Sequence, residues 1–345
     1  MQKIRLGKTG LMVTPLGFGG IPIQRLSEAE AVKVVSRCLD LGLNYIDTAN
    51  AYTVSEERVG KTIKGRKRSD IIIATKTGSR NPDDMRKNLD LSLQRMGTDY
   101  IDLYQFHQIG DMATLKKILD PSTGMMKVFE DAKKAGKIRH IGASSHQMDV
   151  AKEIVKSDAF ETMLFPFNFI TSEPAVELLP LCRQHDVGFI VMKPLAGGML
   201  DNATLCFKYL LQFPDVLTIP GIEKVEEIEE IVKIYEGPHK LTAAEKKQME
   251  GMKAELGTRF CRRCDYCRPC QQEIPISMVM SFPSMAKRMP PERIFGGMYE
   301  DAMTKASNCL ECGECESRCP FHLPIREMLK ENVKAYQERK KMMGR

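Results

Sequence analysis

The sequence has no tryptophan and few aromatic residues, 7% in all. Basic runs interleaved with aromatics are also missing, so no nucleic-acid surface is expected despite a net charge of +6. No stretch approaches the ~18 consecutive apolar residues of a membrane span. Residues 1–10 lack the apolar core of a signal peptide, which points to a cytoplasmic protein with no membrane association. Low-complexity segments are absent. What remains is an ordinary globular composition, 43% hydrophobic and 28% charged over 345 residues, enough chain for two domains.

Two textures alternate along most of that chain. Short β-rich runs fall at 12–20, 44–49, 70–77, 100–108, 138–146, 162–169, 188–195 and 216–222. Helical patterns lie between them at 29–41, 83–96, 126–137, 150–156, 174–184 and 203–211, and a last one follows at 225–235. Ser27 with Glu30 forms a capping box, and Asn81-Pro82 opens another helix. Gly42, Gly97 and Gly136 stand where helices end. Eight strand–helix units predict an α/β fold, the (β/α)8 TIM barrel. A doubly wound sheet would want a G-x-G-x-x-G turn, and Gly17-Phe18-Gly19-Gly20 is not that pattern. Gly7 and Gly10, flanking Lys8-Thr9, read as a hairpin capping the barrel bottom. One more amphipathic helix spans 241–256, so the boundary is expected near 257: a barrel over 1–256 and a small, mainly helical domain over 257–345.

Active sites of this fold sit at the C-terminal ends of the strands. Asp47 ends the second run, Tyr52 follows it, Lys76 ends the third and His107 the fourth. Residues at three adjacent strand ends converge on one small volume, and their chemistry is complementary. A tyrosine with a pKa near 10 is a poor acid unless a cation sits beside it. Lys76 can supply that charge, Asp47 can hold the lysine, and His107 can orient a carbonyl oxygen. Alone, each is more readily an ion-pair or core residue; together they describe a general acid for a carbonyl.

The run Asp47-Thr48-Ala49-Asn50-Ala51-Tyr52, with Ser55-Glu56 and Gly60 behind it, resembles the signature of the aldo-keto reductases. The resemblance extends in order through Ala74-Thr75-Lys76, Asp102-Leu103-Tyr104 with His107, Ile141-Gly142-Ala143-Ser144 and Ile219-Pro220-Gly221, covering residues 1–236. It implies Tyr52 as acid, Asp47, Lys76 and His107 as its partners, and a nicotinamide cofactor across the barrel mouth. The contacts implied are Gly19, Gly20, Ser144, Ser145, Met192, Lys193, Pro194, Leu195, Gly221, Glu223, Lys224 and Glu227. Here the sequence departs from the family. Ser145 replaces an asparagine, Leu164 falls where many members carry glutamine, and Met192 where many carry an aromatic ring. Glu223 and Glu227 stand where NADPH-dependent members place cations, with only Lys224 opposed. Carboxylates repel a 2′-phosphate but accept from a ribose hydroxyl, so NAD(H) is expected over NADP(H).

Eight of the eleven cysteines lie in two tight runs near the C-terminus. The first is Cys261-x2-Cys264-x2-Cys267-x2-Cys270, the second Cys309-x2-Cys312-x2-Cys315-x3-Cys319-Pro320. The second matches bacterial ferredoxin spacing residue for residue, with the fourth cysteine of each run serving the other cluster. Zinc is the alternative, because paired C-x2-C knuckles bind it, but zinc has no use for a third cysteine at the same interval. Two [4Fe–4S] clusters are therefore expected. Cys261, Cys264, Cys267 and Cys319 would hold one, and Cys309, Cys312, Cys315 and Cys270 the other. The first run has x2 before its last cysteine and Gln271 after it, which leaves the crossed pairing less fixed than the clusters. From residue 258 onward, 16 Lys and Arg face 11 Asp and Glu, a surplus of five that offsets anionic thiolate clusters. Cys38, Cys182, Cys206 and most of the 22 methionines read as core, and His146 as a loop residue.

Barrel and tail together resemble the iron–sulfur branch of the aldo-keto reductases. The expected activity is an oxidoreductase interconverting a small carbonyl and an alcohol. Its clusters either pin a tail lacking a large core of its own or exchange electrons with a ferredoxin-like carrier. The alternative is a non-catalytic redox sensor or electron-transfer subunit on a reductase barrel.

Overall fold

The computed structural model describes residues 1–343, so the last two residues of the expected 257–345 domain lie outside the described residues. The chain forms two compact units: Met1–Ala196 with Leu200–Leu241, and Gly197–Met199 with the residues from Thr242 onward. The division thus falls at 241 instead of 257. The helix Ala243–Leu256 buries only Met249, too narrow an apolar face to seat it on the barrel as expected, and it groups with the second unit.

Eight parallel strands make the first unit: β1 (Phe18–Gly19), β2 (Tyr45–Asp47), β3 (Ile72–Thr77), β4 (Ile101–Phe106), β5 (Ile138–Ser144), β6 (Thr162–Pro166), β7 (Gly188–Met192) and β8 (Leu217–Thr218). Each pairs with the next in sequence. Parallel bridges Leu16–Thr218 and Gly19–Gly221 join the first strand to the last, closing the sheet into a barrel. One hydrophobic cluster lies between sheet and helices, with Phe106, Phe129, Phe160 and Phe189 fully buried. A second fills the barrel interior with Leu103, Leu164, Ile190 and Leu217, the layered packing of this fold.

Local signals account for the helix ends. Ser27 Oγ accepts from the Glu30 N–H while the Glu30 carboxylate accepts from the Ser27 N–H at 2.8 Å, the reciprocal box that starts Glu28–Asp40. Asn81 Oδ1 accepts from the N–H groups of Asp83 and Asp84, opening Pro82–Met96, and left-handed Gly97 ends it.

The run read as one strand over 12–20 is two. Met12–Val13 pairs antiparallel with Ile4–Arg5, forming the expected hairpin, and Leu6 and Val13 plug the barrel interior from below. Thr14 gives its N–H to Asn44 Oδ1 at 2.8 Å and Pro15 has none to give, so the ladder breaks before β1. The 174–184 helix is likewise two pieces, Pro174–Glu177 and Leu179–Gln184, interrupted beside Pro180.

The second unit has a core of its own around fully buried Phe282, with Val279, Ile294, Met303, Leu329 and Tyr336. The helices Ile276–Met280, Gly297–Ser307 and Ile325–Met342 supply most of it. Among the described residues, no helix is long and apolar enough to cross a membrane.

The hairpin seats on β7 through Gly7, which holds φ +52°, and a Cβ there would lie 2.2 Å from the Gly188 nitrogen. Gly7→Ala combines left-handed strain with a backbone collision. Stability in denaturant titration should fall by about 2–4 kcal/mol.

Candidate active site and cysteine cavities

Asp47 and Lys76 end up side by side because β2 and β3 pair in register, Asp47 opposite Ala74. Lys76 Nζ donates to Asp47 Oδ1 at 2.5 Å and to the Thr48 carbonyl at 2.7 Å. Both side chains are sealed from solvent, at 2% and 5% exposure. The second carboxylate oxygen, Asp47 Oδ2, accepts from Gln105 Nε2 at 3.3 Å. Tyr52 and His107 stand half-buried above this pair. Lys76 Nζ is 5.1 Å from the centre of the Tyr52 ring, and the Tyr52 and His107 rings meet edge-on at 5.8 Å. All four expected residues therefore converge.

Their supports are specific. The Tyr52 turn is tied to β3 by the Asn50 N–H donating to the Lys76 carbonyl at 3.1 Å. Behind it, buried Glu56 accepts from Thr75 Oγ1 at 2.7 Å and from Arg95 at 3.2 Å. Next to His107, Gln108 takes φ +54° and gives its N–H to Ser144 Oγ at 2.7 Å. Arg80 clamps the His107 carbonyl at 2.8 Å. Thr53, Lys193 and Ala196 also hold positive φ, so non-glycine residues in uncommon backbone conformations gather in the loops after β2, β4 and β7.

Burial pushes the Asp47 carboxyl up, against the pull of Lys76 and Gln105. Burial also works against the Lys76 cation, but Asp47, Tyr52 and Glu56 together outweigh it, so its pKa is raised and it remains an ammonium.

The expected cofactor residues fall in four places. Gly19 and Gly20 lie where β1 is squeezed between its neighbours: a Cβ on Gly19 would meet the Pro220 carbonyl oxygen at 2.7 Å, and one on Gly20 the Asp47 carbonyl oxygen at 2.9 Å. Ser144 ends β5 and Ser145 follows it, both fully buried; the Ser145 hydroxyl is committed to the Ile109 carbonyl at 2.8 Å. Met192 ends β7, and Lys193, Pro194 and Leu195 continue the loop, held where Asn168 Nδ2 donates to the Lys193 carbonyl at 2.9 Å. Leu164 packs in the barrel interior beside Met192. Gly221, Glu223 and Lys224 lead into the helix Val225–Glu236, and Glu227 stands in its first turn. There Glu227 Oε2 accepts from the N–H groups of Glu223 and Lys224 at 2.8 and 3.1 Å. Arg25 reaches Glu223 at 3.5 Å. Burial pushes the Glu223 carboxyl up, and Glu227 adds to it.

Sequence reasoning missed Gln105, Arg80, Asn168 and Arg25. Only Gln105 left a trace, a polar residue that the structure buries in strand β4.

In the second unit the eight cysteines ring two separate cavities. Cys261, Cys264, Cys267 and Cys319 line one; Cys270, Cys309, Cys312 and Cys315 line the other. Each cavity thus takes three cysteines from one run and one from the other, and the thiol donors suit iron–sulfur chemistry. The first set is deeper, with Cys267 and Cys319 buried, whereas Cys312 is exposed.

The aldo/keto reductase family model matches residues 15–205, and a 4Fe-4S dicluster domain model matches 260–324. The chain belongs to the aldo/keto reductase family. It is 33% identical over 219 residues to the uncharacterized oxidoreductase YqkF of Bacillus subtilis, covering 59% of this chain and 68% of that one. It is 28% identical to the NADH-specific methylglyoxal reductase of Escherichia coli, covering 59% and 70%. Among solved structures, the holo form of the aldo-keto reductase AKR11C1 from Bacillus halodurans superposes with a TM-score of 0.63 at 29% identity, over 73% of this chain and 96% of that one. An aldo-keto reductase from Klebsiella pneumoniae in complex with NADPH, at 23% identity and a TM-score of 0.61, shares the fold over 73% and 95%.

Lys76→Met leaves a buried carboxylate without its cation, and should cost about 3–5 kcal/mol near neutral pH. Asp47, raised by burial, then takes a proton as pH falls, so the deficit against the unmodified protein should shrink toward acid and widen toward neutrality. Chemical denaturation across a pH series reads both.

Proposed function

We propose that the barrel reduces a small carbonyl compound to an alcohol, and runs the reverse reaction, with Tyr52 as general acid and base. The observation that carries this reading is the convergence of Tyr52 with His107 at 5.8 Å and with the sealed Lys76–Asp47 pair at 5.1 Å. Tyr52 donates its phenolic proton to the substrate oxygen, and the Lys76 ammonium favours the phenolate left behind. Asp47 keeps that ammonium charged and in place. His107, its backbone fixed by Arg80 and by the Gln108–Ser144 contact, orients the carbonyl oxygen toward Tyr52. A nicotinamide, when bound, supplies the hydride to the carbonyl carbon.

NAD(H) is the favoured cofactor over NADP(H). The two N–H groups that could receive a 2′-phosphate at the start of Val225–Glu236 are already taken by Glu227, and Glu223 adds a second carboxylate. The NADH specificity in the name of the Escherichia coli relative agrees. We infer further that each cysteine cavity holds one [4Fe–4S] cluster with crossed ligation: Cys261, Cys264 and Cys267 with Cys319, and Cys309, Cys312 and Cys315 with Cys270. Such clusters supply one-electron transfer, and a ferredoxin-like carrier is the fitting partner.

Anaerobic binding titrations with NADH and NADPH, paired with turnover of small aldehydes, test the barrel reading. Tyr52→Phe should lose about 10²–10⁴-fold in turnover while NADH binding persists; undiminished turnover overturns the acid assignment, and tighter NADPH binding overturns the cofactor preference.

Iron analysis tests the crossing. Cys261→Ser combined with Cys319→Ser should cost no more iron than either change alone, whereas Cys309→Ser combined with Cys319→Ser should empty both sites.

A further inference from the structure

We propose that Gln105 is a positioning residue of the active site, fixing Asp47 as the carboxylate that keeps Lys76 beneath Tyr52; this rests on the reading of Tyr52 as the acid. The geometry is built by register. Lys76 on β3 stands directly opposite Gln105 on β4, which stands opposite Gly142 on β5. Asp47 is thereby gripped from two strands, Oδ1 by the ammonium and Oδ2 by the amide N–H. A Cβ at Gly142 would lie 3.1 Å from Gln105 Cγ and 2.2 Å from Thr162 Oγ1, so the glycine leaves the room in which the glutamine side chain lies.

Gln105 is fully buried, and its other amide atom, Oε1, has no hydrogen-bond partner in the protein. The orientation of the amide is fixed by its neighbour: the carboxylate demands the N–H side and would repel the oxygen. A leucine or methionine would fill the same space without burying an unpaired oxygen. A glutamine is therefore poor for packing here and useful for what its N–H does to Asp47. Donation to the ionised form stabilises that form, opposing the burial that pushes the Asp47 carboxyl up.

The other charged or titratable groups facing this centre are Lys76 from β3, Tyr45 from β2, and Tyr52 and His107 from the loops above. Glu56 acts on Lys76 from the helix Ser55–Ile63. Lys76 and Gln105 both hydrogen-bond Asp47 directly.

The test uses the full-length protein and Gln105→Met, which keeps length and unbranched shape. Without the N–H donor, Asp47 should protonate at a pH higher by about one unit. Two readouts follow. The acid limb of the kcat/KM profile should move up by that amount, giving about tenfold less activity on its acid side with NADH binding unchanged. Independently of turnover, the Tm gap between the two proteins should grow as pH rises through the carboxylate range and then level off, because the missing bond is one to the charged form. A Tm gap constant with pH, or an unmoved acid limb, overturns the proposal. Gln105→Glu provides a second variant should the methionine protein fail to fold. Its added carboxylate beside Asp47 should raise the acid limb further, and an acid limb left unmoved there also overturns it. If the unmodified protein reduces no carbonyl, the functional reading fails while the Tm series still decides the role of Gln105.

Discussion

On the proposed reading, the barrel's chemistry depends on keeping one ion pair ionised where water cannot reach it. Desolvating an ammonium and a carboxylate costs several kcal/mol each, and close pairing repays that only with good geometry and further hydrogen bonds. Lys76 and Asp47 have both: a 2.5 Å contact, a backbone carbonyl for the lysine and an amide for the aspartate. Three adjacent strands are needed to supply these groups. The register of β2, β3 and β4 is therefore as much a part of the site as the side chains, and a slip of one residue would turn every one of them to the other face of the sheet.

The surrounding loops follow from the same constraint. The Tyr52 turn, above the buried cation, is fastened to β3 through Asn50 and backed by Glu56 and Arg95. His107 is fastened by its own carbonyl to Arg80 and, through Gln108, to Ser144. Several of these supports are charged or polar groups with little contact with water. On the helix Ser55–Ile63 polar Ser55, Glu56 and Thr62 are buried beside apolar Val59 and Ile63.

That polarity explains what the sequence revealed and what it hid. The strands were legible because short β-rich runs such as Gly188–Met192 alternate with helical patterns, and eight of them suffice for a barrel. Ser55–Ile63 escaped the helical pattern because Ser55, Glu56 and Thr62 share its buried face with Val59 and Ile63, which breaks the apolar stripe. The break at Thr14-Pro15 and the interruption near Pro180 were written in the prolines but overruled by the apolar residues around them. Asp47, Tyr52, Lys76 and His107 were legible as a constellation at strand ends. Gln105 was not, since its meaning lies in standing opposite Lys76, and register is invisible until strands are paired. The Glu223–Glu227 loop was legible as charge; that Glu227 uses its charge on its own helix start became visible only with the backbone amides in place.

The interleaving of the two cysteine sets has a consequence for biosynthesis. Each cavity draws on residues about fifty positions apart, so neither set of four exists on a partly translated chain that stops before the second run. One set is completed by Cys315 and the other by Cys319, within a few residues of each other. The barrel residues leave the ribosome long before that point and are free to close without iron. A chain interrupted anywhere between 271 and 308 would carry the four cysteines of the first run but neither complete cavity set, so on the proposed ligation neither cluster could be seated before the second run is made.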